Sequence, residues 1–180
     1  CLNRGCIPSK MLIHSADVIS EIREAHKFFI TVNQDVSVDV AGLVGYVSEV
    51  VDKESNSIKP LYEKHENITY FSDTAVFQSN DEILVGDQVI TADKIFIAAG
   101  GRPLIPNIKG LAQTPYWTST EALRATTLPK SMVIIGGGYI AVELGYYFQA
   151  MGVAVTFLVR SKMIKHEDDD IIELFQQRFS

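Results

Sequence analysis

The chain has 180 residues, 47% of them hydrophobic, and a formal net charge of −6: enough apolar material for a globular core, and too little basic surface for sequence-independent nucleic-acid binding. Its longest nearly apolar stretch, 132–144, is far short of the roughly 20 residues of a membrane span, and no secretory signal is visible. Two cysteines are too few for a secreted disulfide scaffold, so a cytoplasmic protein with a catalytic pair is expected.

The first ten residues are CLNRGCIPSK. In a regular helix, residues five apart are separated by roughly 7.5 Å of rise and 8 to 9 Å between Cα atoms, beyond the roughly 7 Å that a disulfide spans. Cys1 and Cys6 therefore pair only if the turn between them departs from helical geometry. Asn3 and Gly5 tolerate positive φ, and Pro8 suits the first turn of a following helix. A thiol at a helix start near a cation such as Lys10 is favoured as thiolate. On spacing alone the pair also reads as two small buried hydrophobes.

The ten-residue string resembles the redox-disulfide segment of the flavin-dependent pyridine nucleotide disulfide oxidoreductases, the family of dihydrolipoamide dehydrogenase, glutathione reductase, mycothione reductase and mercuric reductase. The resemblance implies that Cys1 is the interchange thiol that attacks a substrate disulfide. It implies that Cys6 makes the charge-transfer contact with FAD, and that Lys10 lies beside the reactive edge of the flavin ring. Arg4 departs from the more usual valine.

Apolar residues Leu12, Ile13, Ala16, Ile19 and Ile22, with Asp17, Glu21, Arg23 and Lys27 between them, predict an amphipathic helix over roughly 11–29. His14 and His26 read as ordinary side chains. Asp39 is placed to cap a second helix over about 40–64, which resembles the long second helix of the same family. Ser55, Ser57 and Pro60 predict a break or kink in its second half.

From Asn67 the period changes to two. Strands are predicted around 68–70, 75–77, 82–85, 88–91 and 94–98, with a Gly86-Asp87 turn in the middle. The meander resembles the three-stranded excursion in the family's flavin domain, and 95–98 its returning strand. Residues 98–103, AAGGRP, resemble the second flavin motif. Ala99 stands where threonine is common, while Gly100 and Gly101 keep the close backbone approach. Residues 104–129 read as a linker, with a short helix capped by Thr118 or Ser119 and with Trp117 packing on a domain surface.

An apolar run, 132–135, leads into GGGYIAVELG, 136–145. A bare GxGxxG match is weak, but here Gly136, Gly138 and Ala141 follow a predicted strand and open an apolar helix that leads to a second strand over 153–159. The glycines admit a pyrophosphate, which then meets the free N–H groups and positive dipole end of the helix around Tyr139, Ile140 and Ala141. An NAD site normally places an acidic residue about 20 residues after the first glycine. Val159 occupies that place, followed by Arg160, with Lys162, Lys165 and His166 nearby, which suits a 2′-phosphate and favours NADPH over NADH. The resemblance further implies that Tyr139 shields the flavin and that Glu143 pairs with Lys10. Asp168, Asp169 and Asp170 read as the start of a further helix rather than as metal ligands.

The expected fold is α/β. Residues 1–112 form the latter part of an FAD-binding domain with a β-meander, and 113–180 a linker and the first βαβ unit of a Rossmann-like NAD(P)-binding domain. The expected activity is electron transfer from NADPH through FAD to the Cys1/Cys6 disulfide and on to a small disulfide substrate, with a homodimer in the full-length protein and no membrane partner. The alternatives are an NAD-dependent dihydrolipoamide dehydrogenase, a mercuric reductase, or a nucleotide-binding remnant without a redox role. The chain opens on Cys1 without a methionine, and neither the family's FAD-pyrophosphate fingerprint nor its dimerisation domain is found in it. An internal piece, inactive alone, is therefore expected.

Overall fold

In the computed structural model, which describes residues 1–33 and 36–179, the chain divides into two compact units. One comprises residues 1–55 with 108–180, the other 56–107. In the first unit, helix α1 (Cys6–Glu24) begins five residues earlier than the apolar spacing predicts. Pro8 is its third residue, where no intrahelical donor is required, and the Ser9 amide closes the first turn on the Gly5 carbonyl at 3.1 Å. Regular α geometry ends at Glu24 and tightens into a 3₁₀ turn, Ala25–Phe28, stopped by Phe29 in the left-handed region at φ 59°.

Leu12, Ala16 and Ile19 of α1 are buried at helical spacing. They share one cluster with Val44, Val47 and Val51 of helix α2 (Val40–Lys64). Asp39 caps α2, accepting the Gly42 amide at 2.9 Å. The expected break at Pro60 is absent, and the helix is unbroken through it. Apolar contact does not hold its last turns, because every residue from Asn56 to Lys64 is exposed. Backbone bonding on either side of the missing Pro60 donor carries them.

Of the two expected caps of helix α3 (Ser119–Ala122), Thr118 and Ser119, it is Thr118 that serves, in a full capping box. The Thr118 amide donates to Glu121 Oε2 at 2.7 Å, and Thr118 Oγ1 accepts the Thr120 amide at 3.2 Å. The Thr118 hydroxyl also donates to Glu121 Oε2, at 2.5 Å, and this bond, with that from the Thr118 amide, holds the Glu121 carboxyl below its ordinary pKa. Trp117 lies against Phe148, with ring centroids 6.2 Å apart.

Strands β4 (Ser131–Ile135) and β5 (Ala154–Leu158) pair in parallel, Ser131 opposite Ala154 through Ile135 opposite Leu158, joined by helix α4 (Tyr139–Ala150). Met132 and Val155 pack towards the cluster that contains Leu144, Tyr147 and Phe148 of α4. A Cβ on Gly145 would stand 2.3 Å from the tip of the Phe157 ring, so the helix lies on β5 only because residue 145 has no side chain. Helix α5 (Asp169–Phe179) brings Phe179 edge-on to Phe157 at 5.4 Å.

In the second unit, β1 (Ala75–Phe77), β2 (Glu82–Val85) and β3 (Gln88–Thr91) form the expected antiparallel meander in the order β1-β2-β3. The β2–β3 turn uses Gly86 at φ 58°. Two predicted strands are not formed, 68–70 and 94–98. Apolar alternation makes an extended segment, but a strand also needs a paired backbone, and neither segment has one among the described residues. Phe96 and Ile97 are 87% and 76% exposed.

Candidate functional site

Cys1 and Cys6 are both free thiols, and both are exposed. The turn between them is non-helical, as pairing requires. The Ile7 amide reaches the Cys1 carbonyl at 3.3 Å, and a Cβ on Gly5 would come within 3.1 Å of the Cys1 Cα. Cys6 is the first residue of α1, so its thiol stands at the end where the helix dipole favours negative charge. Four residues on, Lys10 lies on the same helix and forms an ion pair with Glu143 of α4.

Glu143 is shared. Its Oε1 accepts from Lys10 Nζ, and its Oε2 accepts from Ser9 Oγ at 3.1 Å. Ser9 is buried, and its single hydroxyl hydrogen is shared between Glu143 and the Cys6 carbonyl, 3.2 Å away. One carboxylate on α4 therefore grips the α1 turn that carries Cys6. Three further bonds tie the same helices: Tyr146 Oη donates to Asp17 Oδ1 at 2.8 Å and lies 3.3 Å from Ser20 Oγ, and Arg23 donates to the Ala150 carbonyl at 2.6 Å. Burial and the Asp17 carboxylate raise the Tyr146 phenol pKa despite an opposing bond from Ser20.

The second constellation is the glycine turn between β4 and α4. Gly136 has φ 121°, and a Cβ on Gly136 or Gly138 would meet no protein atom within 4 Å. The space over these two glycines is therefore open to a ligand. Gly137 differs: a Cβ there would reach Val159 at 3.0 Å and the Met163 Cα at 3.1 Å. Gly138 caps α4 without a side-chain bond, so the first-turn amides of Tyr139, Ile140 and Ala141 have no side-chain acceptor at the cap. Further along the helix, Gly145 is a residue whose smallness lets helix and strand meet.

The basic residues predicted after β5 divide. Lys162 is engaged by Asp169 at 2.6 Å, a contact that lowers the Asp169 carboxyl pKa. Arg160, Lys165 and His166 are exposed and form no ion pair among the described residues. The loop folds back on the glycine turn: the Ile164 amide donates to the Gly137 carbonyl at 2.6 Å, with Ile164 at φ 42°. Tyr139 donates its phenol hydrogen to Glu167 in this loop.

Sequence reasoning misses Ser9, Gly137, Gly145 and Glu167. Only Gly137 and Gly145 carried a signal, as further glycines in a string read for its first, third and sixth positions.

Ala99 and Gly100 belong to the second unit. Gly100 is in the left-handed region at φ 74° with open space over its Cα, which suits close approach of a ligand, but no strand leads into it. A shallow depression of about 370 Å³ beside the β2–β3 turn, lined by Tyr70, Asp73, Gly86 and Asp87 among others, contains none of the predicted site residues. Among the described residues no group of three or more His, Cys, Asp or Glu is arranged to hold a metal ion, and no helix is long and apolar enough to cross a membrane.

The chain has relatives in sequence and in fold. The chain is 34% identical over 186 residues to a mercuric reductase of Shigella flexneri, covering 99% of this chain and 33% of that protein. It is 34% identical over 184 residues to a mycothione reductase of Mycobacterium tuberculosis, covering 97% and 39%. Among solved structures, the HOCl-induced flavoprotein disulfide reductase RclA from Escherichia coli superposes with a TM-score of 0.77 at 30% identity, over 99% of this chain and 38% of that one. The chain thus spans about a third of the length of the relatives it matches. The profile of the pyridine nucleotide-disulphide oxidoreductases matches residues 1–180 in full, and the chain belongs to that family.

Proposed function

We infer that the protein carrying this chain is a flavin-dependent oxidoreductase that passes electrons from NADPH through FAD to a Cys1/Cys6 disulfide and on to a small disulfide substrate. In this reading residues 1–112 serve the flavin side and 113–180 the nicotinamide side. The observation that carries it is the grip of Glu143 on Lys10 and Ser9, which couples the helix of the cysteine pair to the helix that opens at the glycine turn. FAD, when bound, supplies the exchange between hydride and thiol chemistry. Lys10, held by Glu143, is the cation on the flavin side, and Gly100 leaves the backbone bare for close approach.

The other roles belong to the chain's own groups. Cys1, exposed and outside the helix, attacks one sulfur of the substrate disulfide and releases the other as thiolate. Cys6 then attacks the Cys1 sulfur, frees the second substrate thiol and restores the Cys1–Cys6 disulfide, so two electrons pass and no sulfur is left unpaired. The open space over Gly136 and Gly138 and the amides of Tyr139, Ile140 and Ala141 suit a pyrophosphate. Val159 lacks the carboxylate that an NAD ribose requires, and Arg160 and His166 suit a 2′-phosphate. Equal identity to a mercuric and a mycothione reductase selects no substrate.

The test uses the full-length protein. Cys1→Ser is expected to lower disulfide reduction at least about a hundredfold while NADPH still bleaches the flavin absorbance. Undiminished disulfide reduction would remove this reading. Arg160→Ala is expected to raise the KM for NADPH about tenfold or more and to leave that for NADH unchanged. Equal effects on both would reject the assignment of NADPH.

A further inference from the structure

Arg4 is the one charged residue between the two cysteines, whose spacer reads Leu-Asn-Arg-Gly, and the thiol chemistry above gives it no part. It belongs to the turn over 2–4 that leads from Cys1 into α1. The Ile7 amide closes this segment on the Cys1 carbonyl at 3.3 Å, and a Cβ on Gly5 would come within 3.1 Å of the Cys1 Cα. The Arg4 Cα is one peptide further, about 3.8 Å from that of Gly5. The long Arg4 side chain therefore starts beside Cys1.

Its charge is not captured. Arg4 is exposed and forms no ion pair among the described residues. Lys10, the other cation near the cysteines, is taken up by Glu143. Glu121 feels Arg4 across space, but its carboxylate is already engaged: the Thr118 hydroxyl and amide hold its pKa down, and the guanidinium adds only the smallest share. Glu121 thus offsets Arg4 at a distance without pairing with it.

This placement bears on the disulfide that Cys1 attacks. A substrate sulfur has to reach Cys1, and the groups attached to that sulfur then pass close to the guanidinium. Within a Debye length, roughly 8 Å at physiological salt, a cation draws anionic groups in and turns cationic ones away, and a guanidinium keeps its charge throughout the working pH range. We propose that Arg4 is a specificity-determining residue that selects anionic disulfides, those carrying carboxylates near the S–S bond, over neutral and cationic ones. The inference rests on the thiol–disulfide reading above and names the charge class of its substrate.

The experiment measures kcat/KM in the full-length protein, at saturating NADPH, for three small disulfides: dianionic dithiobis(nitrobenzoate), neutral dithiodipyridine and dicationic cystamine. Each charged disulfide is scored relative to the neutral one, so that a loss of folding or of flavin cancels. Two substrate charges roughly 8 Å from a cation in water give about a fivefold preference. Arg4→Val, the residue more usual in the family, is therefore expected to lower the dianion-to-neutral ratio about fivefold and to raise the dication-to-neutral ratio about as much. Arg4→Lys keeps the charge and should hold both ratios within about twofold of the wild type, whereas Arg4→Glu should move them about thirtyfold. In about 1 M salt, where charges are screened within roughly 3 Å, the variants should converge. Ratios unmoved by Arg4→Val and Arg4→Glu would overturn the assignment, while turnover of the neutral disulfide would keep the reading it rests on. A change shared by Arg4→Lys, or one that survives high salt, would also overturn it, since those mark shape rather than charge. A wild type that reduces none of the three would overturn both.

Discussion

The two glycine turns of this chain, 98–101 and 136–138, look alike in sequence, each an apolar run ending in consecutive glycines. Their surroundings differ. The run before 136 is a paired strand, and the turn opens a twelve-residue helix. The run before 98 is extended and largely exposed, with no strand pairing and no helix after it. The glycines allow a backbone to approach a ligand in both places. What makes one of them a formed cradle is the long-range packing beneath it, Gly145 on Phe157 and the loop on Gly137.

This contrast is open to direct attack. The largest expected effect is in amide hydrogen exchange: the amides of 133–135 and 155–157 should exchange at least about a hundredfold more slowly than those of 95–98. Equal rates would mean that the two turns are equally formed and would break the comparison. Next, Gly145→Ala should destabilise the first unit, because overpacking against Phe157 costs about 1–3 kcal/mol and exceeds the roughly 1 kcal/mol gained in helix propensity. Gly45→Ala on α2, where no atom lies within 4 Å of the new Cβ, should instead stabilise by up to about 1 kcal/mol. Opposite signs in urea unfolding would locate the constraint in tertiary contact. The smallest effect concerns Tyr147, whose buried hydroxyl has no hydrogen-bond partner among the described residues and whose pKa burial pushes up to about 12. Tyr147→Phe should raise stability by about 1 kcal/mol in the same measurement.

Legibility in the sequence followed the range of the interaction. Helix α2 is predicted with both ends correct, because Asp39 and a 3.6-residue apolar period are local signals. The capping box at Thr118 is equally local. The missing strands at 68–70 and 94–98 fail for the opposite reason, since alternation says nothing about whether a partner backbone is present. The pairing of Lys10 with Glu143 was expected from the family resemblance and is found in the structure. Ser9 was not expected, because its bond to Glu143 crosses 134 positions and no spacing rule reaches that far. The importance of Gly145 emerges only when Phe157 is brought beneath it.

The ties between α1 and α4 also order the birth of the protein. Lys10 meets a residue 133 positions later, and Arg23 one 127 positions later. At the roughly 5 to 20 residues per second of ribosomal synthesis, the first turn of α1 waits about 7 to 27 s for its partner. Through that interval Leu12, Ala16 and Ile19 lack the α4 side of their cover, and the cysteine pair is made long before the carboxylate that will steady it. A cell making this chain must guard an apolar helix face and two young thiols for longer than most small domains take to fold.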